Sequence, residues 1–278
     1  MPLDTAYPMW DARDDFARAR RRQALSALRR RLNGRSASHD RLLPFDEVVA
    51  ALGRRGVRDL GVEQIELGSV VGSVDRQTGF DRLFRPTSYV VEQRFTRIAA
   101  ALRRGEAVPP IEVFRVGDVH FVQDGHHRVS AARALEWTHI AAHVTEVLTA
   151  VGAGGELRLA DLPRRAQERM FAERVPLPRT MRARIELRSP QDYGRLAEHV
   201  EAWAFRFAQL RGTLLDRAQA AETWFAEEYE PAVDLLRGTG LLTGGTETEA
   251  YLRLSNERYH RMHTHSWDHT VVARLRDR

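Results

Sequence analysis

Apolar and polar positions alternate most cleanly between residues 111 and 147. Ile111 to Val116 and Val119 to Val122 have the period-2 character of strands, and Gly117-Asp118 between them reads as a hairpin turn. The second strand runs into a polar turn, Gln123-Asp124-Gly125, which opens into a small-residue helix reaching Leu135. Ile140 to Val147 reads as a further strand. Upstream, Val91, Phe95, Ile98 and Leu102 recur at 3.6-type spacing and predict a helix over 88–104, with Pro109-Pro110 blocking its continuation. Ile65 to Val71 reads as a strand, and Phe45 to Leu52 as a short helix between Pro44 and Gly53. Residues 11–33 predict an amphipathic helix with Leu25, Leu28 and Leu32 on one face, Asp11 as a candidate cap and Asn33-Gly34 as its end.

The pattern changes after Leu148. Gly152, Gly154 and Gly155 mark a boundary, and the chain beyond them reads as mainly helical. Ser189-Pro190 is a helix start. Val200, Trp203, Ala204, Phe207 and Leu210 form one apolar stripe. Trp224, Phe225, Tyr229, Val233 and Leu236 form another, bent or restarted near Pro231. Thr246 caps a final helix carrying Ala250, Leu252, Leu254 and Tyr259. The expected organisation is an N-terminal helical extension (1–59), an α/β domain (60–150) and a helical C-terminal domain (156–278), an α+β chain overall.

The candidate chemistry sits where the strand meets the helix. A helix start exposes unpaired N–H groups and the positive end of the helix dipole. Gly125 lets the backbone approach a ligand closely, and His126, His127 and Arg128 add side-chain donors. Together they make an anion site suited to phosphate. The plainer alternative has Asp124 as an N-cap, Gly125 as a turn residue and one histidine packed in the core.

The segment from Ile111 through Gly125-His126-His127-Arg128 to Ile140-Ala141-Ala142-His143-Val144 resembles the ParB N-terminal/sulfiredoxin-like fold. Ile65 to Val71 is similar to that family's first strand, and Asp75-Arg76 with Phe80-Asp81 to a segment just beyond that strand. The likeness spans residues 60 to 148 and is nearest a poorly characterised branch of ParB-like proteins with an added helical domain. It implies a nucleotide (CTP or ATP) at Gly125, His126, His127, Arg128 and Arg76, with Mg²⁺ to offset its charge. The Asp-Gly-His element also resembles ParB-fold kinases of small molecules. A phosphotransferase or hydrolase would draw its catalytic groups from Asp124, His126 and Glu112. Asp75, Asp81 and Glu92 are the other acidic residues within reach of the fold. The chain departs from ParB proteins proper in having His127 where they carry a first Arg, and in lacking a Glu-Asn-x-Gln-Arg segment after Val147.

Charge and composition narrow these readings. The 278-residue chain has no Cys, which excludes disulfides and the thiol that sulfiredoxins use. All 43 of its basic residues are Arg, which excludes a Walker-A or Schiff-base lysine. Residues 1–60 hold 13 Arg against 8 Asp plus Glu, so the net charge of +5 is local. The helix over 11–33 could therefore lie on DNA phosphates through Arg18, Arg21, Arg22 and Arg29, making the chain a DNA-binding protein or a nuclease with its site at Asp124 to Arg128, or be an Arg-coated face of a docked helix. No apolar run is long enough for a membrane span, and Met1 to Asp4 do not resemble a signal peptide. A cytoplasmic protein is expected, with a homodimer left open. His260, His263, His265 and His269, with Asp268, form a candidate metal cluster, and His120 reads as structural.

Overall fold

In a computed structural model, which describes residues 7–33, 41–75, 79–152, 158–242 and 244–276, two compact units divide the chain at Leu162. The fold is α+β. The first unit runs α1 (Pro8–Leu32), β1 (Leu43–Pro44), α2 (Phe45–Leu52), β2 (Arg54–Glu66), β3 (Val70–Ser73), α3 (Glu92–Arg103), β4 (Ile111–Val116), β5 (Val119–Asp124), α4 (His126–Ala134) and β6 (His139–Thr149). The strands form one mixed sheet in the order β1-β3-β5-β4-β6-β2. β4 and β5 are the expected antiparallel hairpin, while β3–β5 and β4–β6 pair in parallel.

One face of this sheet carries the main core. Ile111, Val113, Val122, Ile140, Ala142 and Val144 alternate onto it and meet Phe16 of α1, Phe95 and Ala99 of α3, and Val129 and Ala132 of α4. On the opposite face α2 sets Phe45 against Phe114 and Phe121, with ring centroids 4.8 and 5.6 Å apart. Gly72 of β3 lies so close to β1 that a Cβ there would stand 2.3 Å from the Leu43 carbonyl oxygen.

Three sequence expectations shift. The strand expected over 65–71 is interrupted by a 3₁₀ turn, Leu67–Ser69, which divides β2 from β3. Most of β2 carries no strand signal in the sequence. It is an edge strand with bulges between Arg54 and Gly56 and between Asp59 and Gly61, so its sequence does not alternate. The buried face of α1 is Asp11, Ala12, Asp15, Phe16 and Ala19. Leu25, Leu28 and Leu32, expected to be its packing stripe, are all more than half exposed. Residues 1–59 supply α1, β1, α2 and the start of β2, with α1 packed along α3.

The second unit holds α5 (Leu162–Arg174), α6 (Arg179–Arg182), α7 (Pro190–Arg211), α8 (Arg217–Trp224), α9 (Glu230–Leu236), α10 (Glu247–Met262) and α11 (His269–Arg276). Its core gathers Phe171, Tyr193, Trp224, Phe225, Tyr229 and Tyr251, so the second stripe's aromatic residues pack in the core; of the first stripe, Trp203 packs against its edge and Phe207 packs on Trp203. Thr246 caps α10 in a reciprocal pair with Glu249. Pro231 has no N–H to donate into the preceding turn, and residues Phe225–Tyr229 widen there into a π turn between α8 and α9. Among the described residues no helix is long and apolar enough to cross a membrane.

Candidate functional site

The first-unit site is built where β3, β5 and α4 converge. Gly125 precedes α4 with φ +104°, a conformation that L side chains rarely adopt. A Cβ on it would lie 2.5 Å from Ile111 Cγ2. No side chain caps α4. Its first ladder bond runs from the Val129 N–H to the Gly125 carbonyl. The N–H groups of residues 126–128 are the ones a helix leaves without intrahelical partners.

The two histidines divide their labour. His126 is buried and its Nε2 shares a 2.7 Å hydrogen bond with Ser73 Oγ of β3. Its ring lies near-parallel to Phe80 and close to Phe84. Burial pushes its pKa down to about 4, so it is neutral at physiological pH, although Asp124 and Asp75 pull the other way. His127 is half-buried and meets Phe80 edge-on at 5.2 Å. Burial and then the charge of Arg94 on α3 lower its pKa as well. Its Nδ1 is buried without a hydrogen-bond partner among the described residues.

Arg128 is not a free cation. Its guanidinium donates to the carbonyls of Pro109 at 2.7 Å and Pro110 at 2.5 Å, and it pairs with Asp124. It therefore ties the segment before β4 to the start of α4. Asp124 is 71% exposed at its side chain and reaches solvent beside the helix start. Glu112 is opposite Asp124 in the β4–β5 register but belongs to another network. It bonds His143 Nδ1 at 3.1 Å, while His143 Nε2 faces Asp59 at 3.3 Å. Asp81 is fully used: its carboxylate accepts the Leu83 and Arg85 N–H groups and the Arg85 guanidinium. Glu92 starts α3. Arg76 lies outside the described residues.

His120 is buried, bonded through Nδ1 to Ser69 Oγ at 2.8 Å and held neutral by burial. Of the C-terminal histidines, His260, His263 and His265 pack around the Tyr259 ring at centroid distances of 6.2, 6.0 and 4.9 Å, and His263 ends α10 in a left-handed turn. Among the described residues no group of three or more Asp, Glu or His is arranged to hold a metal. Of the α1 arginines, Arg18 pairs with Asp15, and Arg22 approaches Glu136 at 3.7 Å. Arg21 and Arg29 are exposed.

Set beside models of protein families, curated proteins and solved structures, the chain matches none of them.

Sequence reasoning misses Ser73, Arg94 and the Asp59–His143–Glu112 row. Ser73 and Arg94 are distant in sequence from α4 and carry no motif. The row needs the β2–β6 pairing, which an edge strand without alternation does not announce.

Proposed function

We propose that the first unit binds a nucleotide, CTP or ATP, or a related phosphorylated ligand at the start of α4. The observation that carries this reading is the uncapped first turn behind Gly125 with the unpartnered Nδ1 of His127 beside it. A phosphate there would receive the N–H groups of residues 126–128 and a ring N–H from His127. Arg94 adds positive charge from α3. Arg128 contributes by fixing the turn rather than by donating a free fork. This reading accords with the resemblance to ParB-like domains, in which the corresponding helix start faces nucleotide.

Magnesium fits as a companion of the ligand. It is commonly held by one or two carboxylates together with phosphate oxygens. Asp75 and Asp124 both act electrostatically on His126 and are exposed, so they are the carboxylates to offer. In an enzymatic version Asp124 is the base through the carboxylate oxygen that Arg128 does not take, since its side chain is more exposed than that of Glu112 and lies at the helix start.

Thermal unfolding with ATP, CTP and GTP, each with and without Mg²⁺, tests the proposal, since a ligand bound only by the folded state raises the midpoint. A rise that disappears in His127→Ala supports it. No rise with any nucleotide rejects it. DNA contact through α1 is proposed for Arg21 and Arg29. Duplex binding that weakens steeply with salt and is lost in an Arg21→Glu, Arg29→Glu variant would support that.

A further inference from the structure

A cavity lies away from the start of α4, between α1, the Leu83–Arg85 loop and the C-terminal half of α4. It has a volume of about 360 Å³, within the range of small-molecule sites. Its wall combines apolar groups, Ala19, Leu83, Phe84 and Ala134, with Arg18, Arg22, Arg85 and Arg133.

Two observations make this a built site rather than a surface dent. The first is Ser130, which lines the cavity, is 2% exposed and has an Oγ with no hydrogen-bond partner among the described residues. A buried hydroxyl left unpaired costs folding energy unless something satisfies it. The second is the charge count. Four guanidinium groups face two carboxylates, Asp15 and Glu136. Two pairs reach beyond the wall, Arg85 to Asp81 and Asp15 to Arg103, and including them leaves the excess at two positive charges.

The cations differ in freedom. Arg133 is fixed: it donates to the carbonyls of Leu67 and, at 2.8 Å, Val70, and stands 5.2 Å over the Phe84 ring. Arg85 is held by Asp81 and by Ser26 Oγ at 2.8 Å. Arg22 is loose, because its pairing with Glu136 at 3.7 Å is between two side chains more than half exposed. Such a pair contributes little and can be given up for a ligand.

We propose that this cavity binds a small organic phosphate monoester, its dianion neutralising the arginine excess, its apolar body against Leu83 and Phe84, and one oxygen satisfying Ser130. A phosphate monoester carries close to two negative charges near neutral pH, which matches the excess. Arg22 closes over it as the mobile cation.

Phenyl phosphate is the probe. Calorimetry on the full chain should give a Kd of about 0.1–1 mM, ordinary for a ligand of this size. Arg22→Gln should weaken it about tenfold, as expected for a lost charged hydrogen bond. Ser130→Ala should weaken it about fivefold while raising the midpoint of thermal unfolding of the free protein, because the orphaned hydroxyl is gone. A serine with a merely structural role would lower that midpoint and leave the affinity alone. His127→Ala, at the other site, should not change the phenyl phosphate affinity. The proposal is overturned if phenyl phosphate fails to bind at about 10 mM, tenfold above the expected Kd, or if neither cavity variant alters its affinity. Because the start of α4 is itself proposed to take phosphates, Arg22→Gln and Ser130→Ala are also compared in the His127→Ala background, where their effects on phenyl phosphate should persist whether or not that helix start binds a ligand. The proposal is also overturned if phenyl phosphate binding is lost in His127→Ala alone.

Discussion

Ile111 occupies the space that a β-carbon on Gly125 would need. Its Cγ2 and Cβ stand 2.5 and 2.9 Å from that position. Gly125 also holds a φ of +104°, so the first strand of the hairpin and the backbone before α4 jointly require glycine here. Gly125→Ala is expected to lower the unfolding free energy by about 2–5 kcal/mol, the sum of a left-handed penalty and overpacking. Urea denaturation checks this. A loss within about 0.5 kcal/mol, the size of an ordinary surface change, would mean that the turn is not locked by Ile111.

Arg128 carries a stability role that its sequence position conceals. It bridges the Pro109 and Pro110 carbonyls and Asp124. Arg128→Ala should therefore destabilise the free protein by about 1–3 kcal/mol before any ligand is added, through the loss of these charged hydrogen bonds. Arg128→Lys should recover only part of this, since a single ammonium cannot reproduce the fork. A variant as stable as the parent would leave Arg128 free for the ligand role.

The hairpin, α4, β6 and the helical character of the second half are legible in the sequence because each obeys one local rule of period, turn or cap. The Ser189-Pro190 start and the Thr246 cap are legible for the same reason. The partners of Arg128 are not, because the reason lies in the Pro109-Pro110 segment coming back over the helix start. For α1, leucine periodicity points to the wrong end, Leu25, Leu28 and Leu32. The contact is made instead by Ala12, Phe16 and Ala19 around a buried aspartate.

That aspartate gives a separate prediction. Asp15 has no exposed side-chain surface and receives Arg103 through hydrogen bonds of 2.8 and 3.0 Å, with Arg18 as its second cation. Removing Arg103 leaves the buried carboxylate with Arg18 alone, which pairs with only one of its two oxygens. Arg103→Ala should cost about 1.5–3 kcal/mol, the size of lost hydrogen bonds to a charged group. Asp15→Asn combined with Arg103→Met should cost less than Arg103→Ala alone. Equal losses in the two variants, measured by chemical denaturation, would argue against an under-compensated buried carboxylate.

Acid should destabilise the first unit through its buried histidines. His120 and His126 are both held near a pKa of about 4 by burial, against about 6.5 when unfolded. Between these values the unfolded chain binds protons that the folded chain refuses. Stability is therefore full above about pH 6.5 and falls as the pH is lowered toward 4. His120→Gln should make the decline over this window shallower than in the parent, measured as unfolding midpoint against pH. An unchanged slope would show that His120 protonates without penalty.

The start of α4 as a phosphate site is tested most directly by the backbone amides of His126, His127 and Arg128. In ¹⁵N-labelled protein titrated with ATP or CTP and Mg²⁺, these three amide resonances should shift saturably, and the shifts should be lost in His127→Ala. If they stay in place up to about 10 mM nucleotide, well beyond a Kd of 1 mM, while the protein remains folded, the helix start does not bind phosphate and the central claim is wrong.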